Sequence, residues 1–119
     1  MSSTAPTPSQ ELYVHIGAPE PFIFRMRSGS GLVALDGSLK FTYKNDAGTV
    51  TLTVNSGITL STDEGVANAR ATVQLTIEQS RAIPEGAFTQ YELQRTIGSL
   101  EKVLFMGAMI GEGGVNVDG

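Results

Sequence analysis

The chain has 119 residues and a formal net charge of −4, from 8 basic and 12 acidic side chains. This length suits one domain, which buries roughly two-thirds of the surface that the unfolded chain exposes. Nucleic acid is disfavoured as a partner, because phosphate backbones are bound by clustered basic side chains and those of this sequence are scattered. The sequence contains no cysteine, so it offers no disulfide and no thiolate metal site.

The two ends of the chain differ in composition from its middle. Residues 1–10 are rich in serine, threonine and proline, and residues 111–119 contain four glycines and two acidic residues. We predict an extended N-terminal arm over 1–10, one folded domain over 11–110 and a flexible glycine-rich tail over 111–119. The N-terminus has neither the basic nor the apolar region of a secretory signal, and the longest apolar run is far shorter than the roughly 20 residues of a membrane helix. We therefore expect no membrane partner.

From residue 12 onward, apolar side chains alternate with polar ones, which is the pattern of half-buried β-strands. In chain order, the alternating segments cover residues 12–16, 22–25, 39–43, 50–54, 69–77 and 88–96, followed by an apolar run over 103–110. The turn Asn45-Asp46-Ala47-Gly48 lies between two of these segments and predicts a hairpin. One short helix is predicted at Thr76–Ala82, ended by Pro84.

About seven strands with turn residues between them predict a β-sandwich made of two antiparallel sheets. Parallel strands need long connections, usually helices, and the sequence pattern contains no helix of that length. The predicted fold class is therefore all-β.

Few residues offer catalytic or metal-binding chemistry. His15 lies on a predicted strand, and as a general base or metal ligand it would need Glu11 or Glu20 as a partner. The pair Asp63-Glu64 is more typical of a solvated turn than of a calcium loop, which needs several regularly spaced oxygen ligands. The glycines of residues 107–114 lack the lysine of a phosphate-binding loop, and no G-x-S-x-G pattern marks a nucleophile. We expect a non-enzymatic protein with no metal and no cofactor.

The apolar run over 103–110 is the most informative segment for function. A strand with one wet face alternates, whereas this strand is apolar on both faces. Either the strand is fully buried in its own domain, or one face contacts another subunit. The methionines suit an adaptable contact surface. The candidate protein-interface residues are Val103, Phe105, Met106, Met109 and Ile110.

The order of short motifs from Lys40 onward resembles a known family. The motifs are Asn45-Asp46-Ala47-Gly48-Thr49-Val50, Gly57-Ile58-Thr59-Leu60, Val73-Gln74-Leu75-Thr76-Ile77-Glu78-Gln79, Ile83-Pro84-Glu85-Gly86, Tyr91-Glu92-Leu93-Gln94 and Val103-Leu104-Phe105-Met106-Gly107. In this order, residues 40–107 resemble the immunoglobulin-like domain found at the N-terminus of tailed-phage baseplate upper proteins and in related small tail proteins. One departure is an additional residue in Phe88-Thr89-Gln90-Tyr91, which predicts a β-bulge. Another is Ile97-Gly98-Ser99, which replaces the usual Asp/Asn-Gly turn.

The resemblance implies an immunoglobulin-like antiparallel β-sandwich of about seven strands, between the N-terminal arm and the C-terminal tail. It also implies a bacteriophage virion structural protein, an adaptor or decoration subunit of the tail, neck or baseplate, assembled in the host cytoplasm. The partners would be other virion proteins and further copies of the chain in a ring or symmetric assembly. The alternative is a β-sandwich that binds carbohydrate on a host surface, although the sequence contains no tryptophan for an aromatic platform.

Overall fold

A computed structural model describes residues 10–29, 31–35 and 38–113. The elements, in chain order, are β1 (Leu12–His15), β2 (Phe22–Phe24), β3 (Arg27–Ser28), β4 (Gly31–Leu32), β5 (Ser38–Asn45), β6 (Gly48–Val54), β7 (Gly57–Asp63), β8 (Val66–Val73), α1 (Ile77–Arg81), β9 (Gly86–Ile97) and β10 (Leu100–Glu112). The predicted all-β class is confirmed. The predicted arm over 1–10 is described at Gln10 alone, and residues 114–119 of the predicted tail lie outside the described residues.

Eight strands form a nearly closed, barrel-like sheet in the order β1-β10-β9-β5-β6-β7-β8-β2. The sheet folds into two layers: β1, β10, β9, β5 and β6 form the larger layer, and β7, β8 and β2 form the smaller one. A short parallel pairing joins the two layers, with Thr53 opposite Gly57 and Val54 opposite Ile58. At this crossing Asn55 and Gly57 have φ values of 71° and 106°, which lets the chain leave one layer and enter the other.

Three features differ from the sequence prediction. The sheet is mixed, because β1 pairs with β10 in parallel as well as β6 with β7. Arg27–Ser28 and Gly31–Leu32, which lie outside the predicted strands, pair as the small hairpin of β3 and β4. The last described strand extends to Glu112, two residues beyond the predicted boundary at Ile110, because Val14 and His15 supply partners for Gly111 and Glu112.

The core lies between the layers and is built around aromatic rings. Phe24 contacts Phe105 with ring centroids 5.1 Å apart, and Phe41 stacks on Tyr91 at 5.4 Å. These separations are typical of favourable aromatic pairs. Burial also raises the pKa of Tyr91 to about 12, so its hydroxyl stays protonated at neutral pH.

The helix α1 follows the prediction for Thr76–Ala82, with those two residues as its caps. The Thr76 hydroxyl accepts a hydrogen bond from the backbone N–H of Gln79, and the Gln79 side chain accepts one from the backbone N–H of Thr76. This reciprocal capping satisfies donors that a helix N-terminus leaves open. The buried Ser80 hydroxyl accepts from the backbone N–H of Gly17 at 2.9 Å and so ties the helix to the end of β1.

Candidate protein-interaction surfaces

Two bulges determine which side chains of β9 and β10 face outward. Val103 pairs with Gln94 and Phe105 with Leu93, so Leu104 is an additional residue in β10. At the other end, Met109 pairs with Thr89 and Gly111 with Gly86, so β9 carries the additional residue around Phe88. Within the predicted segment Phe88-Thr89-Gln90-Tyr91, the last three residues pair regularly with β10, so the bulge lies at residues 87–88, at the start of that segment. Bulges of this kind redirect side chains between the faces of a sheet.

The five predicted interface residues divide between the core and the outer face. Phe105 is 9% exposed and Met109 is fully buried, so both belong to the core of the chain itself. Met106 is 41% exposed, and Val103 and Ile110 are half-buried. The run therefore has a buried side and a side that is exposed in the single chain. Its inner side chains fill the core, with Leu104 turned inward at the bulge, while its outer side chains remain at the surface.

The outer side chains form a continuous apolar surface with a residue of the neighbouring strand. Met106, Ala108 and Ile110 alternate along β10, and Tyr13 of β1 lies beside Ile110. Tyr13 is 51% exposed and its hydroxyl donates to a carboxylate oxygen of Glu11 at 3.3 Å. The negative charge of Glu11, together with this hydrogen bond, raises the pKa of Tyr13. We call these four residues the β10 face. The apolar run over 103–110 identified Met106 and Ile110, whereas Tyr13 was missed because its position depends on the pairing of β1 with β10.

A second apolar surface lies at the turn between β9 and β10, where Ile97 and Leu100 are opposite each other. Gly98 has a φ of 62°, and the two-residue Gly98-Ser99 loop closes the hairpin as such loops commonly do. Ile97 is 53% exposed and Leu100 is 76% exposed. We call this apolar pair the β9–β10 tip. The sequence predicted the turn at Ile97-Gly98-Ser99. It did not predict that the β9–β10 hairpin extends past Ser38, the first residue of the neighbouring strand β5.

A third surface is a groove of about 420 Å³ at the other end of the domain. It lies between the β5–β6 turn and the segment that leads from α1 into β9. We call it the end groove, and its lining consists of Asn45, Asp46, Ala47, Arg81, Ala82, Ile83, Pro84 and Phe88. Phe88 is 72% exposed, and its ring covers Gly86, where an added Cβ would lie 2.9 Å from the ring. Sequence alternation did not identify Phe88 as a surface residue, because the β9 bulge sets its direction.

A shallow polar hollow of about 300 Å³ crosses the outer face of the larger layer. Its lining includes the outward side chains of Thr42, Lys44, Gln90 and Glu92, with Met106 at one margin. The Glu92 carboxylate accepts a hydrogen bond from the Gln94 amide at 3.0 Å. Hydroxyl, amide, ammonium and carboxylate groups of this kind bind polar ligands.

Asp63 and His15, two of the residues considered for chemistry, make contacts with neighbouring side chains. Asp63 accepts hydrogen bonds from Arg25 and from Arg70, the latter at 3.2 Å, and its pKa is lowered mainly by the bond from Arg25. His15 lies 3.8 Å from Glu112 across the pairing of β1 with β10. Residues 10–29, 31–35 and 38–113 contain no group of three or more His, Asp or Glu side chains that could hold a metal ion.

No helix within the described part of the chain has the length and apolar character needed to cross a membrane. Comparisons of the chain with protein-family models, with curated protein sequences and with solved structures found no match.

Proposed function

We propose that this protein is a non-catalytic structural subunit of a bacteriophage virion, an adaptor or decoration protein that acts through protein–protein assembly. Its partners on this proposal are other virion proteins and further copies of the same chain, and its location is the virion.

The observation that carries the assembly role is the β10 face. Tyr13 and Met106 are each more than 40% exposed on one continuous apolar surface next to β1, the strand at one edge of the described sheet. Scattered apolar side chains are common on protein surfaces, whereas contiguous ones mark interaction sites. Tyrosine and methionine are also enriched at protein interfaces. A rigid sandwich that displays such a surface on one sheet suits a building block of a larger assembly.

The phage assignment is supported by the order of motifs in residues 40–107. Each motif occupies a distinct part of the fold: the β5–β6 turn, the start of β7, the capped helix α1, the turn at Pro84, the buried Tyr91 of β9, and β10, the last described strand. Together these elements form one β-domain, and on this proposal its exposed side chains make the contacts with other virion proteins.

The first test is mass spectrometry of purified phage particles from a host that carries the gene. We expect peptides of this chain at a constant ratio to the other virion proteins after the particles are purified by density-gradient centrifugation. If the chain is recovered only outside particles, the virion assignment is wrong.

The second test asks whether the β10 face makes the contact. Met106→Asp places a charge on the face at an exposed position, so we expect the isolated domain to remain folded and its incorporation to fall at least tenfold. Ile23→Asp is the matched control, since Ile23 is similarly exposed, at 44%, but lies on β2 in the other layer. Equal incorporation of both variants would exclude the β10 face as the assembly surface.

The polar hollow favours the alternative of carbohydrate binding, because sugar hydroxyls need the kind of donors and acceptors that line it. Its aromatic residues, Tyr43 and Tyr91, are each 2% exposed, so their rings do not offer a stacking platform. A glycan-array screen of the purified domain tests this alternative. Specific binding that is abolished by Glu92→Ala and retained by Tyr13→Ser, which changes the β10 face without changing the lining of the hollow, would favour it over assembly.

A further inference from the structure

We infer that two copies of this chain pair edge to edge through β1, antiparallel and about a twofold axis at Tyr13. The inference rests on the proposed assembly role and adds to it the identity of one partner, a second copy, together with the register of the contact. The pairing would join the larger layers of both copies into one continuous sheet and bring their β10 faces side by side.

Half of the backbone groups of β1 face the edge of the sheet. Among the described strands, β10 is the one that pairs with β1. The backbone N–H groups of Gln10 and Ile16 donate to carbonyls of β10 at 3.0 and 3.1 Å. Because the backbone groups of successive residues in a strand point to opposite sides, those of Glu11, Tyr13 and His15 face the outer edge. Such an edge is a template for a further strand.

The geometry of this edge matches a second copy of itself. The segment held against β10 runs from Gln10 to Ile16, and Tyr13 is its midpoint. In an antiparallel pair centred there, the Tyr13 N–H of each copy donates to the Tyr13 carbonyl of the other, and the His15 N–H donates to the Glu11 carbonyl. An axis one residue away would bring together groups that already bond to β10. The edge is therefore self-complementary, as an isologous contact requires.

The outward side chains are also self-complementary about this axis. Tyr13 lies opposite Tyr13 of the second copy, and Glu11 lies opposite His15. All three side chains are exposed in the single chain, His15 by 57%. Aromatic pairs and opposite charges directly across two strands both stabilise their pairing. A carboxylate opposite an imidazole accepts a hydrogen bond from a ring N–H, and it gains a charge contact when the ring is protonated.

The contacts that Glu11 and His15 already make leave groups for this pairing. The Tyr13 hydroxyl uses one carboxylate oxygen of Glu11, at 3.3 Å, and a carboxylate offers further acceptor sites. Nδ1 is the ring nitrogen of His15 that lies near Glu112, at 3.8 Å, so Nε2 faces no such neighbour. Glu11, His15 and Glu112 are the charged or titratable acid–base side chains of residues 10–16 and 106–112 apart from Tyr13. No lysine or arginine of those two segments competes for the Glu11 carboxylate.

The expected product is a weak dimer. Pairing over one short strand buries a small area, and interfaces of that size associate weakly. An isologous contact uses the same edge of both copies, so it ends at two copies. Dimerisation should therefore depend on concentration, and it should be reinforced when copies are held close together on a larger assembly.

Disulfide cross-linking of single-cysteine variants tests the contact, because the sequence contains no cysteine of its own. Under mild oxidation by diamide, Tyr13→Cys should form covalent dimers about tenfold faster than Ile23→Cys, since directly opposed residues lie within the Cα separation that a disulfide spans. Ile23 is the matched control because it is 44% exposed on β2, the strand at the other edge of the described sheet.

Glu11→Cys and His15→Cys locate the axis. Each variant alone should cross-link slowly, because the two copies of either residue lie four positions apart along the paired edge, or roughly 13 Å. An equimolar mixture should form mixed dimers about tenfold faster than either variant alone, since positions 11 and 15 oppose each other across the axis.

A proline substitution tests the backbone pairing. Tyr13→Pro removes an N–H that faces the outer edge, and proline is tolerated on edge strands at such positions. In sedimentation velocity, the average mass of the wild-type chain should rise with concentration up to about 1 mM, a range that detects weak contacts. Tyr13→Pro should stay monomeric, whereas Tyr13→Val keeps the N–H and should still dimerise. Circular dichroism checks that both variants are folded, and the cysteine variants test the same axis without altering the backbone.

Tyr13→Cys that links no faster than Ile23→Cys would overturn the edge pairing. So would a mixture of Glu11→Cys and His15→Cys that links no faster than either alone, or a wild-type chain that stays monomeric at every concentration. The last result would assign the edge to a different protein or to none. These results leave the virion assignment to the particle analysis, which does not depend on self-association of the free chain.

Discussion

The hydroxyl of Tyr91 donates a hydrogen bond of 2.7 Å to the backbone carbonyl of Gln10, 81 residues earlier in the chain. Tyr91 is buried in β9, whereas Gln10 precedes β1, and β10 lies between those two strands. The bond therefore crosses β10 and joins β9 to the segment that precedes β1. It holds the backbone of Gln10 against Gly107, which has no Cβ to collide with the Gln10 carbonyl oxygen.

Tyr91→Phe should reduce the free energy of unfolding by about 1 kcal/mol, the usual net contribution of one hydrogen bond. The matched control is Tyr43→Phe, because the buried Tyr43 hydroxyl has no hydrogen-bond partner within the described chain. Removing that hydroxyl should be neutral or stabilising. Urea unfolding followed by circular dichroism measures both changes. Equal effects would show that the bond to Gln10 contributes nothing.

Gly107→Ala should destabilise the fold and loosen β1. An added Cβ would lie 2.4 Å from the carbonyl oxygen of Gln10, and Gly107 has a φ of 154°. Relief of this overlap requires a backbone shift, and overpacking of this kind costs about 1–3 kcal/mol. Hydrogen exchange should show faster exchange in residues 12–15 than in the wild type. Gly31→Ala, where the added atom meets open space, should leave exchange in those residues unchanged.

Acid should destabilise the domain partly through Asp63. Hydrogen bonds from Arg25 and Arg70 lower its pKa in the folded state, so its ionised form stabilises the fold above the pKa of the unfolded chain, near 4. That contribution is lost as the pH falls through the folded-state pKa. Asp63→Asn should therefore lower stability at pH 7 and flatten its decline between about pH 5 and pH 2. Asp46→Asn, in the exposed β5–β6 turn, is the control that should keep the wild-type slope.

Thr76→Ala should cost about 1 kcal/mol, the typical loss when a helix N-cap is removed. Thr76→Ser keeps the hydroxyl that accepts from Gln79 and should retain most of the stability. Thermal unfolding of the three proteins gives the comparison. If the serine variant is as unstable as the alanine variant, the methyl group of Thr76 rather than its cap is responsible.

Periodicity predicted the all-β class because inward and outward side chains alternate cleanly on several strands. The turn at Asn45–Gly48 was also predictable, since the Asn45 side chain accepts a hydrogen bond from the backbone N–H of Ala47, as asparagine commonly does in turns. The helix α1 was predictable because its cap and its terminating proline are local signals. The strand predicted over 69–77 ends at Val73 instead, and Ile77 becomes the first residue of the helix, 53% exposed.

The interaction surfaces were less predictable, because they depend on contacts between distant segments. The parallel pairing of β1 with β10 has no local signature, and it places Tyr13 beside Ile110. The bulges bury the adjacent residues Leu104 and Phe105 and leave Phe88 exposed. A prediction from strict alternation would give neither result. Of the candidate interface residues, Met106 and Ile110 followed from the run itself, whereas separating them from Met109 required the register.

The position of β1 also constrains how the domain is made. Its hydrogen-bonding partner is β10, the last described strand. During synthesis on the ribosome, β1 therefore has no pairing partner until β10 has been made. Pairings between distant segments form slowly, and unpaired strand edges favour aggregation. Moving β1 to follow β10 through a circular permutation would turn this distant pairing into a local one and should speed folding.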